Sequence, residues 1–298
     1  MTMTIRRRAA RAVGTICLIV GATPAGASRQ LSTSPVAVRL YIFDCGVLKR
    51  GEPTAYGLTR AQVGSTDFSD PCYLVAHPRG TLLWDVGIIP DGQIPTVGAA
   101  NRGSPVGVEV SVANGTNVAR RTLRSQLEGI GYAPRNITYL ALSHGHADHV
   151  ANANEYAAAT LLIQRAEWDS MFSEDARKQP LFGNYGALER SKTIKLDGDR
   201  DVFGDGTVVL KSTPGHTPGH QSLFVKLAAT GPVLLTGDLY HYAAERTLKM
   251  VPVRDNKAQT VASRAAIDEL LRTTGAQLWI QHDILANATL KHAPRYYD

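Results

Sequence analysis

Three histidines and an aspartate lie within six residues of the stretch Ser143-His144-Gly145-His146-Ala147-Asp148-His149. His144 and His146 are two residues apart, so on an extended backbone their side chains project to the same side, which helical spacing would not allow. Asp148 and His149 are adjacent and their side chains diverge, so one pair can hold one cation while the other turns to a second. Zinc accepts nitrogen and oxygen ligands of this kind. A polar loop that happens to be rich in histidine is the alternative, but His-x-His-x-Asp-His is far more demanding than a lone histidine and predicts a metal site.

Several further polar residues closely follow apolar runs that are typical of β-strands. One of them alone would be an ordinary turn residue, but a sheet sandwich whose strands end on one rim would bring all of them together. The duplicated Thr-Pro-Gly-His from Thr213 to His220 offers two imidazoles, at His216 and His220. Asp85, which ends another apolar run, either caps a turn or accepts a ring N–H and so fixes the tautomer of a metal-bound histidine. The residues that follow strand-like runs closely are His144, His216, Asp238 and His282.

Strand-like and helix-like segments alternate along the chain, which favours a layered α/β sheet protein. Residues 88–117 are rich in Gly, Pro, Asn and Val without a helical period, and they predict a long loop. Ile88, Ile89, Ile94 and Val97 in that loop either line a substrate cleft or belong to a surface excursion. Strands are predicted at 36–44, at 73–86 with a turn at Pro78-Arg79-Gly80, at 159–164 and at 207–211, and helices at 118–131, 165–172 and 260–273.

Two other segments carry weaker signals. Residues 177–191 predict a loop whose Phe182 and Tyr185 are candidates for the cleft. The acidic stretch 197–201 resembles the start of a calcium loop, but Val202 and Val208 stand where such a loop needs Gly and Glu. We therefore interpret 197–201 as a hairpin turn.

The composition is that of a globular protein of 298 residues with a hydrophobic share of 44%, enough for one large domain or two small ones. A basic start, an apolar segment at 12–22 and the small residues Ala25-Gly26-Ala27 predict a signal peptide over residues 1–27, and therefore export to the periplasm or the medium. An uncleaved membrane anchor is the alternative, but glycines and a proline interrupt the apolar run and it is shorter than a membrane span. We expect no stable membrane insertion after the leader is cleaved.

The formal net charge is +6, and four arginines of the leader account for much of it, since 6 − 4 leaves +2. A net charge of +2 does not indicate a nucleic-acid partner. Cys17 lies in the leader, which leaves Cys45 and Cys72 in the exported chain. A disulfide between them and a pair of buried free thiols are both open interpretations.

The motifs together resemble the metallo-β-lactamase superfamily, and within it the N-acyl homoserine lactonases. The resemblance extends over nearly all of residues 28–298, from Leu40-Tyr41-Ile42-Phe43-Asp44-Cys45-Gly46 through Gly80-Thr81-Leu82-Leu83-Trp84-Asp85 to Gln281-His282-Asp283, and includes the histidine motif, Thr-Pro-Gly-His and Gly237-Asp238. It implies a single α/β domain, an αββα sandwich with two divalent metal ions, normally zinc, at one edge of the sheets.

The resemblance also implies a role for each ligand. His216 rather than His220 occupies the family's ligand position, which leaves His220 a structural part. The implied ligands are His144, His146 and His216 for the first metal and Asp148, His149 and His282 for the second, with Asp238 bridging both.

The activity that the resemblance implies is hydrolysis of the lactone ring of N-acyl homoserine lactones, that is, quorum quenching. Two cations held close together lower the pKa of a shared water from about 15.7 to roughly 7, which provides a hydroxide for attack on the carbonyl. Many of these lactonases have a tyrosine three residues after the bridging Asp, where this chain has His241 between Tyr240 and Tyr242. His241 or Tyr240 would stabilise the developing oxyanion, and Asp148 would pass the proton to the leaving alkoxide.

Other functions remain open at this point. Hydrolysis of phosphotriesters or aryl esters is the main alternative, because the same metals serve it, and a metal-binding protein without catalysis is a further one. True metallo-β-lactamases generally lack the bridging carboxylate, so Asp238 argues against antibiotic hydrolysis. The predicted partner is a small lactone or ester, and a homodimer stays open.

Overall fold

Two β-sheets of different size form the centre of the molecule. A computed structural model describes residues 37–50, 52–94, 108–112 and 115–298. An eight-stranded sheet has the order β4-β5-β1-β2-β3-β6-β7-β8, and a five-stranded sheet has the order β13-β12-β11-β10-β9. The strands are β1 Arg39–Lys49, β2 Asp67–His77, β3 Gly80–Trp84, β4 Val108–Val112, β5 Gly115–Ala119, β6 Tyr139–Ala141, β7 Thr160–Gln164, β8 Thr193–Leu196, β9 Arg200–Asp201, β10 Val208–Ser212, β11 Gln221–Leu227, β12 Gly231–Leu235 and β13 Gln277–Trp279.

Helices cover the outer faces of both sheets. Alternate residues of β1 and β2 face opposite ways: Leu40 and Tyr73 pack in the core between the sheets, whereas Phe43 and Leu74 pack against the helices outside. On the five-stranded sheet, Ile267 of the long helix α7 packs against Phe224. The layers therefore form the predicted αββα sandwich. The helices are α1 Leu123–Gly129, α2 Ala147–Val150, α3 Arg165–Met171, α4 Glu174–Arg177, α5 Phe182–Tyr185, α6 Ala243–Leu248, α7 Lys257–Thr274 and α8 Ile284–Asn287.

Parallel pairing aligns the strand ends that matter for the site. β3 and β6 are parallel, with Trp84 opposite Ala141, and β12 and β13 are parallel, with Leu235 opposite Trp279. Because the carboxyl ends of parallel neighbours lie at the same edge, the polar residues that follow them meet on one rim.

Most of the predicted elements are confirmed with shifted ends. The stretch 73–86 contains the end of β2 and all of β3, and the predicted helices at 165–172 and 260–273 are α3 and α7. The helix predicted at 118–131 begins only at Leu123, because Val118 belongs to β5 and pairs with Val47 of β1.

The prediction of one long loop over 88–117 is wrong in its second half, which contains β4 and the start of β5. Ile89 and Ile94 do not line a cleft, because both are buried and pack together with Ala119, and Ile88 packs against them. Val97 lies outside the described residues. Ile89 and Ile94 therefore offer no apolar surface to a substrate, and Ile88 is half-buried beside them.

Two further local predictions are corrected. Residues 197–201 do not form a hairpin, because β8 belongs to the eight-stranded sheet and β9 to the five-stranded one, so the segment links the two sheets. Residues 177–191 include α5 and a 3-10 turn, and Tyr185 is buried in the outer core with Phe182 packed against it. Tyr185 is therefore not available to a cleft, whereas Phe182 is half-buried and lines a surface pocket with Asn154 and Arg190.

Cys45 and Cys72 form a disulfide, with their Cα atoms 5.8 Å apart. The free-thiol alternative does not apply to this structure. The signal peptide predicted for residues 1–27 lies outside the described residues. Within the described part of the chain, no helix is both long and apolar enough to span a membrane.

Candidate metal centre

The predicted ligands gather on the rim where strands of both sheets end. The histidine motif follows β6 and leads into α2, whose four residues include Asp148 and His149. Asp238 lies in a 3-10 turn after β12, His216 follows β10, and His282 follows β13. Each ligand is therefore held by a short connection after a buried strand.

Seven side chains form two adjacent groups that could each hold a metal ion. In each group, one ligand atom from every residue lies within 4.8 Å of the others. The first group is His144, His146, His216 and Asp238, and the second is Asp148, His149 and His282.

The two carboxylate oxygens of Asp238 face different groups. Oδ1 lies 3.0 Å from Nε2 of His282 and 3.2 Å from Nε2 of His149. Oδ2 lies 3.2 Å from Nε2 of His216 and 3.6 Å from Nε2 of His144. A side chain placed in this way can bridge two cations.

Buried polar atoms without hydrogen-bond partners show that these residues fit a metal. Nε2 of His144, His149 and His282 and Oδ1 of Asp238 are buried, and although they lie close together none of them makes a hydrogen bond. Leaving such atoms unpaired costs about 1 to 3 kcal/mol each. Metal coordination would satisfy them together, and a set rich in imidazole nitrogen suits zinc.

The electrostatics favour neutral imidazoles at two of the three histidines of the first group, His144 and His146. Burial, followed by repulsion from neighbouring histidines, lowers the pKa of His144 well below its usual value and that of His146 to about 4. At His216 burial opposes the charge, but contacts with Asp238 and Asp255 raise the pKa. Burial opposes the charge of Asp238, but the surrounding histidines, His282 first, hold its pKa well below the usual range. Neutral histidine and ionised aspartate are the forms that bind a metal.

The second ring nitrogen of three of the five candidate histidine ligands contacts a carboxylate or carbonyl oxygen of the protein. Nδ1 of His149 lies 2.9 Å from Oδ2 of Asp85, Nδ1 of His282 lies 2.9 Å from the carbonyl oxygen of Ser69, and Nδ1 of His216 lies 3.1 Å from Oδ1 of Asp255. Such contacts orient a ligand ring and select its tautomer. Of the two interpretations of Asp85, the structure supports the one in which it contacts a histidine.

His220 does not belong to either group. Its Nδ1 lies 2.9 Å from Oγ1 of Thr213, and its Nε2 accepts a hydrogen bond of 2.9 Å from the backbone amide of Asp238. The imidazole is fully buried. His220 therefore supports the turn that carries Asp238, which agrees with the structural role predicted for it.

Glu167 joins the two ligand loops, and sequence reasoning missed it. One carboxylate oxygen accepts a hydrogen bond from the Gly145 amide at 2.8 Å, and the other accepts from the Thr217 hydroxyl at 2.6 Å and the Gly219 amide at 3.1 Å. A Cβ on Gly219 would lie 2.2 Å from the backbone nitrogen of Glu167, so only glycine allows this approach. The strand-then-helix pattern around Glu167 contains no signal for such a long-range contact.

The three residues around position 241 have different surroundings. Nε2 of His241 lies 3.1 Å from Oδ2 of Asp238, so its ring is part of the site. The structure places Tyr240 outside the site: its ring packs with Leu239 and Ile267 in the core under α7, with the Arg264 guanidinium 4.1 Å from the ring centre. Tyr240 follows the 3-10 turn with an extended backbone (φ −143°, ψ 140°), and its side chain and that of His241 lie in different surroundings.

Tyr56 and Arg50 are two further residues of the site that the sequence did not reveal. The ring centre of Tyr56 lies 4.5 Å from that of His241. Nη2 of Arg50 lies 3.4 Å from Oδ2 of Asp148. Arg50 directly follows β1, and Tyr56 lies in the 3-10 turn Thr54–Tyr56. Both are far in sequence from every predicted ligand, which explains why spacing could not indicate them.

Comparison with known proteins agrees with this arrangement. Residues 66–271 match the model of the metallo-β-lactamase superfamily. The chain is 30% identical over 277 residues to the N-acyl homoserine lactonase AttM of Azorhizobium caulinodans, covering 88% of this chain and 99% of that protein. It is also 30% identical over 227 residues to an N-acyl homoserine lactonase of a Bacillus species, covering 76% of this chain and 85% of the relative.

Solved structures with the same fold include an N-acyl homoserine lactone hydrolase with the product N-hexanoyl-L-homoserine at its catalytic metal centre. That structure has a TM-score of 0.67 and 23% identity, and the match covers 87% of this chain and 99% of that one. AidC, described as a dizinc quorum-quenching lactonase, has a TM-score of 0.57 at 17% identity, over 88% of this chain and 94% of its own. At these identities the structures show the fold alone. The family match and the curated relatives show that this chain is an enzyme of the metallo-β-lactamase superfamily, homologous to the N-acyl homoserine lactonases.

Proposed function

We propose that this enzyme uses two divalent metal ions, normally zinc, to open the lactone ring of N-acyl homoserine lactones. The observation that carries the proposal is Asp238, whose two oxygens face different histidine groups at 3.0 to 3.6 Å. The names of the curated relatives support the choice of a lactone substrate. The biological result would be the removal of a diffusible signal.

Metal ions bound at the two groups would supply Lewis-acid activation of a water and of the substrate carbonyl. His144, His146 and His216 would hold one ion, and His149 and His282 with Asp148 the other, with Asp238 between them. Ring opening converts the ester oxygen into an alkoxide, which needs a proton. Asp148 is the acid–base group placed for that transfer.

Burial is the largest influence on the pKa of Asp148 and raises it, but the charge of His149, followed by those of His282 and Arg50, lowers the pKa below its usual value. Asp148 is therefore ionised at rest and suited to accept a proton from the attacking water before it donates one to the alkoxide. The product, which then dissociates, is the ring-opened hydroxy acid, with a carboxylate and a hydroxyl on one molecule.

A substrate panel on metal-replete enzyme tests the proposal. N-hexanoyl homoserine lactone, a p-nitrophenyl ester, a chromogenic aryl phosphotriester and a β-lactam are compared by kcat/KM, with acid release measured for the lactone. We expect the lactone to be the best substrate. The proposal falls if the phosphotriester is better by an order of magnitude or more.

The Asp238→Ala variant provides the control for the two-metal part of the proposal. Wild-type protein purified without chelator is expected to contain two equivalents of metal, and the variant to lose metal and activity together. One equivalent or fewer in the wild type, even after metal is added back, contradicts a dinuclear centre.

Export is proposed on the sequence of the leader alone. Protein recovered from its native host is expected to begin near Ser28, as N-terminal sequencing would show. Retention of the leader arginines would contradict cleavage.

A further inference from the structure

A hydrogen-bond donor would stabilise the substrate carbonyl during attack, but the His241 ring contacts protein carboxylates instead. An imidazole has two nitrogens. Nε2 of His241 lies 3.1 Å from Oδ2 of Asp238, and Nδ1 lies 3.4 Å from Oε1 of Glu245. Both ring nitrogens therefore face carboxylates of the protein, and the ring serves to connect Asp238 to the start of α6.

The neighbouring tyrosines offer no better donor. Tyr240 stacks under Arg264, in the layer between the five-stranded sheet and α7. The hydroxyl of Tyr242 is buried without a partner, and its ring packs with Leu48, Leu58 and Phe68. The residue at the position that supplies a donor in many related lactonases, His241, thus has both ring nitrogens within 3.4 Å of a protein carboxylate. The rings of Tyr240 and Tyr242 on either side of it are buried in apolar clusters.

Tyr56 packs on His241, whose own Nε2 contacts Asp238. Its ring centre is 4.5 Å from that of His241, 5.5 Å from that of Phe68 and 5.3 Å from that of Tyr242. Phe68 in turn stacks on His282 at 5.0 Å. The charges that act on the Tyr56 hydroxyl are, in order of strength, those of Asp238, Arg50 and Asp148.

Backbone contacts fix the turn that carries Tyr56. The Tyr56 amide donates to the carbonyl oxygen of Pro53 at 2.9 Å, and the Val253 amide donates to the carbonyl oxygen of Ala55 at 2.9 Å. Among the described residues no hydrogen bond uses the Tyr56 hydroxyl, and the residue is only half-buried. The ring is therefore held in place while its polar end stays available.

We propose that the Tyr56 hydroxyl donates the hydrogen bond that stabilises the substrate's carbonyl oxygen during attack, with His241 as the positioning residue against which it packs. This inference rests on the proposed function, because it requires a substrate with an ester or lactone carbonyl. It assigns the donor to the turn after β1 rather than to the segment that follows Asp238.

The protonation state of the phenol agrees with this role. A tyrosine has an ordinary pKa of about 10 and carries its proton at neutral pH. Burial, followed by the charge of Asp238, raises the pKa of Tyr56 further. The hydroxyl is thus a donor throughout the neutral range.

The test compares Tyr56→Phe with Tyr242→Phe in the metal-replete enzyme. Tyr56→Phe removes only the hydroxyl and keeps the ring packed on His241 and Phe68. We expect kcat for N-hexanoyl homoserine lactone and for a p-nitrophenyl ester to fall about 100- to 1,000-fold, as for loss of one oxyanion donor. KM, Tm and metal content should stay at wild-type values. Tyr242→Phe, which removes a neighbouring phenol from the same cluster, should retain wild-type kcat.

The outcomes separate this inference from the proposed function. If the wild type opens lactones and Tyr56→Phe retains its kcat, the inference falls and the function stands. If Tyr56→Phe loses metal, or if Tyr242→Phe shows the loss of kcat instead, Tyr56 is not the donor. If the wild type hydrolyses neither the lactone nor the ester, the function and the inference fall together.

Discussion

Asp85 Oδ2 lies 2.9 Å from Nδ1 of His149, while Oδ1 of the same carboxylate accepts a hydrogen bond of 2.6 Å from the Ser143 amide. Gln281 also donates to Oδ2 at 2.9 Å. One buried carboxylate therefore connects the end of β3 to the histidine motif and to the residue before His282. Asp85 therefore orients His149 directly and His282 through Gln281, and both histidines belong to the second metal group.

Asp85→Asn is expected to weaken metal binding. The amide cannot accept at both of its ends, so it loses either the His149 ring or the Ser143 amide. Loss of such a partner typically costs about 10- to 100-fold in metal affinity. Chelator competition on the purified variant would measure the change.

Asp91→Asn is the matched control for Asp85. Asp91 is buried as well, but its oxygens accept from the amides of Leu123 and Arg124, both at 2.8 Å, at the start of α1. We expect this variant to lose about 1 kcal/mol of stability and to keep wild-type metal affinity. Equal metal affinity in both variants would contradict the role of Asp85.

Glu167→Gln is expected to loosen the first metal group. The carboxylate accepts from the Gly145 loop on one side and from Thr217 and Gly219 on the other. Glutamine can accept on only one side, so the loop of His146 or that of His216 loses its support. Metal affinity should fall about 10- to 100-fold.

Calorimetric titration of the metal-free Glu167→Gln variant should show weaker binding of one of the two metal equivalents. Glu155→Gln is the control, because Glu155 pairs with Arg124 and touches neither ligand loop. If Glu167→Gln binds both metals as the wild type does, the two loops are stable without it.

His220 is expected to make stability depend on pH. Burial, followed by repulsion from His216, lowers the pKa of His220 to about 3. In the unfolded chain the pKa of a histidine is about 6.5. Between these two values the unfolded chain binds one proton more than the folded one. The free energy of unfolding should therefore rise with pH in this window, by up to about 1.4 kcal/mol per pH unit from this group.

Urea unfolding of chelator-treated protein between pH 4 and 6.5 measures that slope. His220→Gln should reduce it by the contribution of one proton, because glutamine does not titrate and its side-chain oxygen can still accept from the Asp238 amide. Identical slopes in the two proteins would show that His220 is not held neutral in the fold.

Tyr240→Phe is expected to retain wild-type kcat with every carbonyl substrate. Its ring packs under Arg264 rather than against the histidines, and phenylalanine keeps that stacking. Steady-state kinetics with N-hexanoyl homoserine lactone provide the measurement. A large loss of kcat would place Tyr240 in the catalytic machinery, contrary to its position in the structure.

The sequence by itself indicated the candidate ligands, and it determined the family and most of the strands. His-x-His-x-Asp-His and Thr-Pro-Gly-His lie in consecutive residues, and their geometry follows from local backbone spacing. The rule that polar residues follow apolar strands also placed Asp85, Asp238 and His282 on one rim, because parallel strands end together.

The tertiary structure alone decided which atoms meet. Glu167 reaches the ligand loops across 22 and 50 residues, and Gln281 reaches Asp85 across 196. Periodicity cannot indicate such contacts, because it reports only which face of its own element a residue occupies. For the same reason the sequence left His241 and Tyr240 undecided and did not indicate Tyr56. Only the packing of the turn after β1 against the segment after β12 brings Tyr56 onto His241.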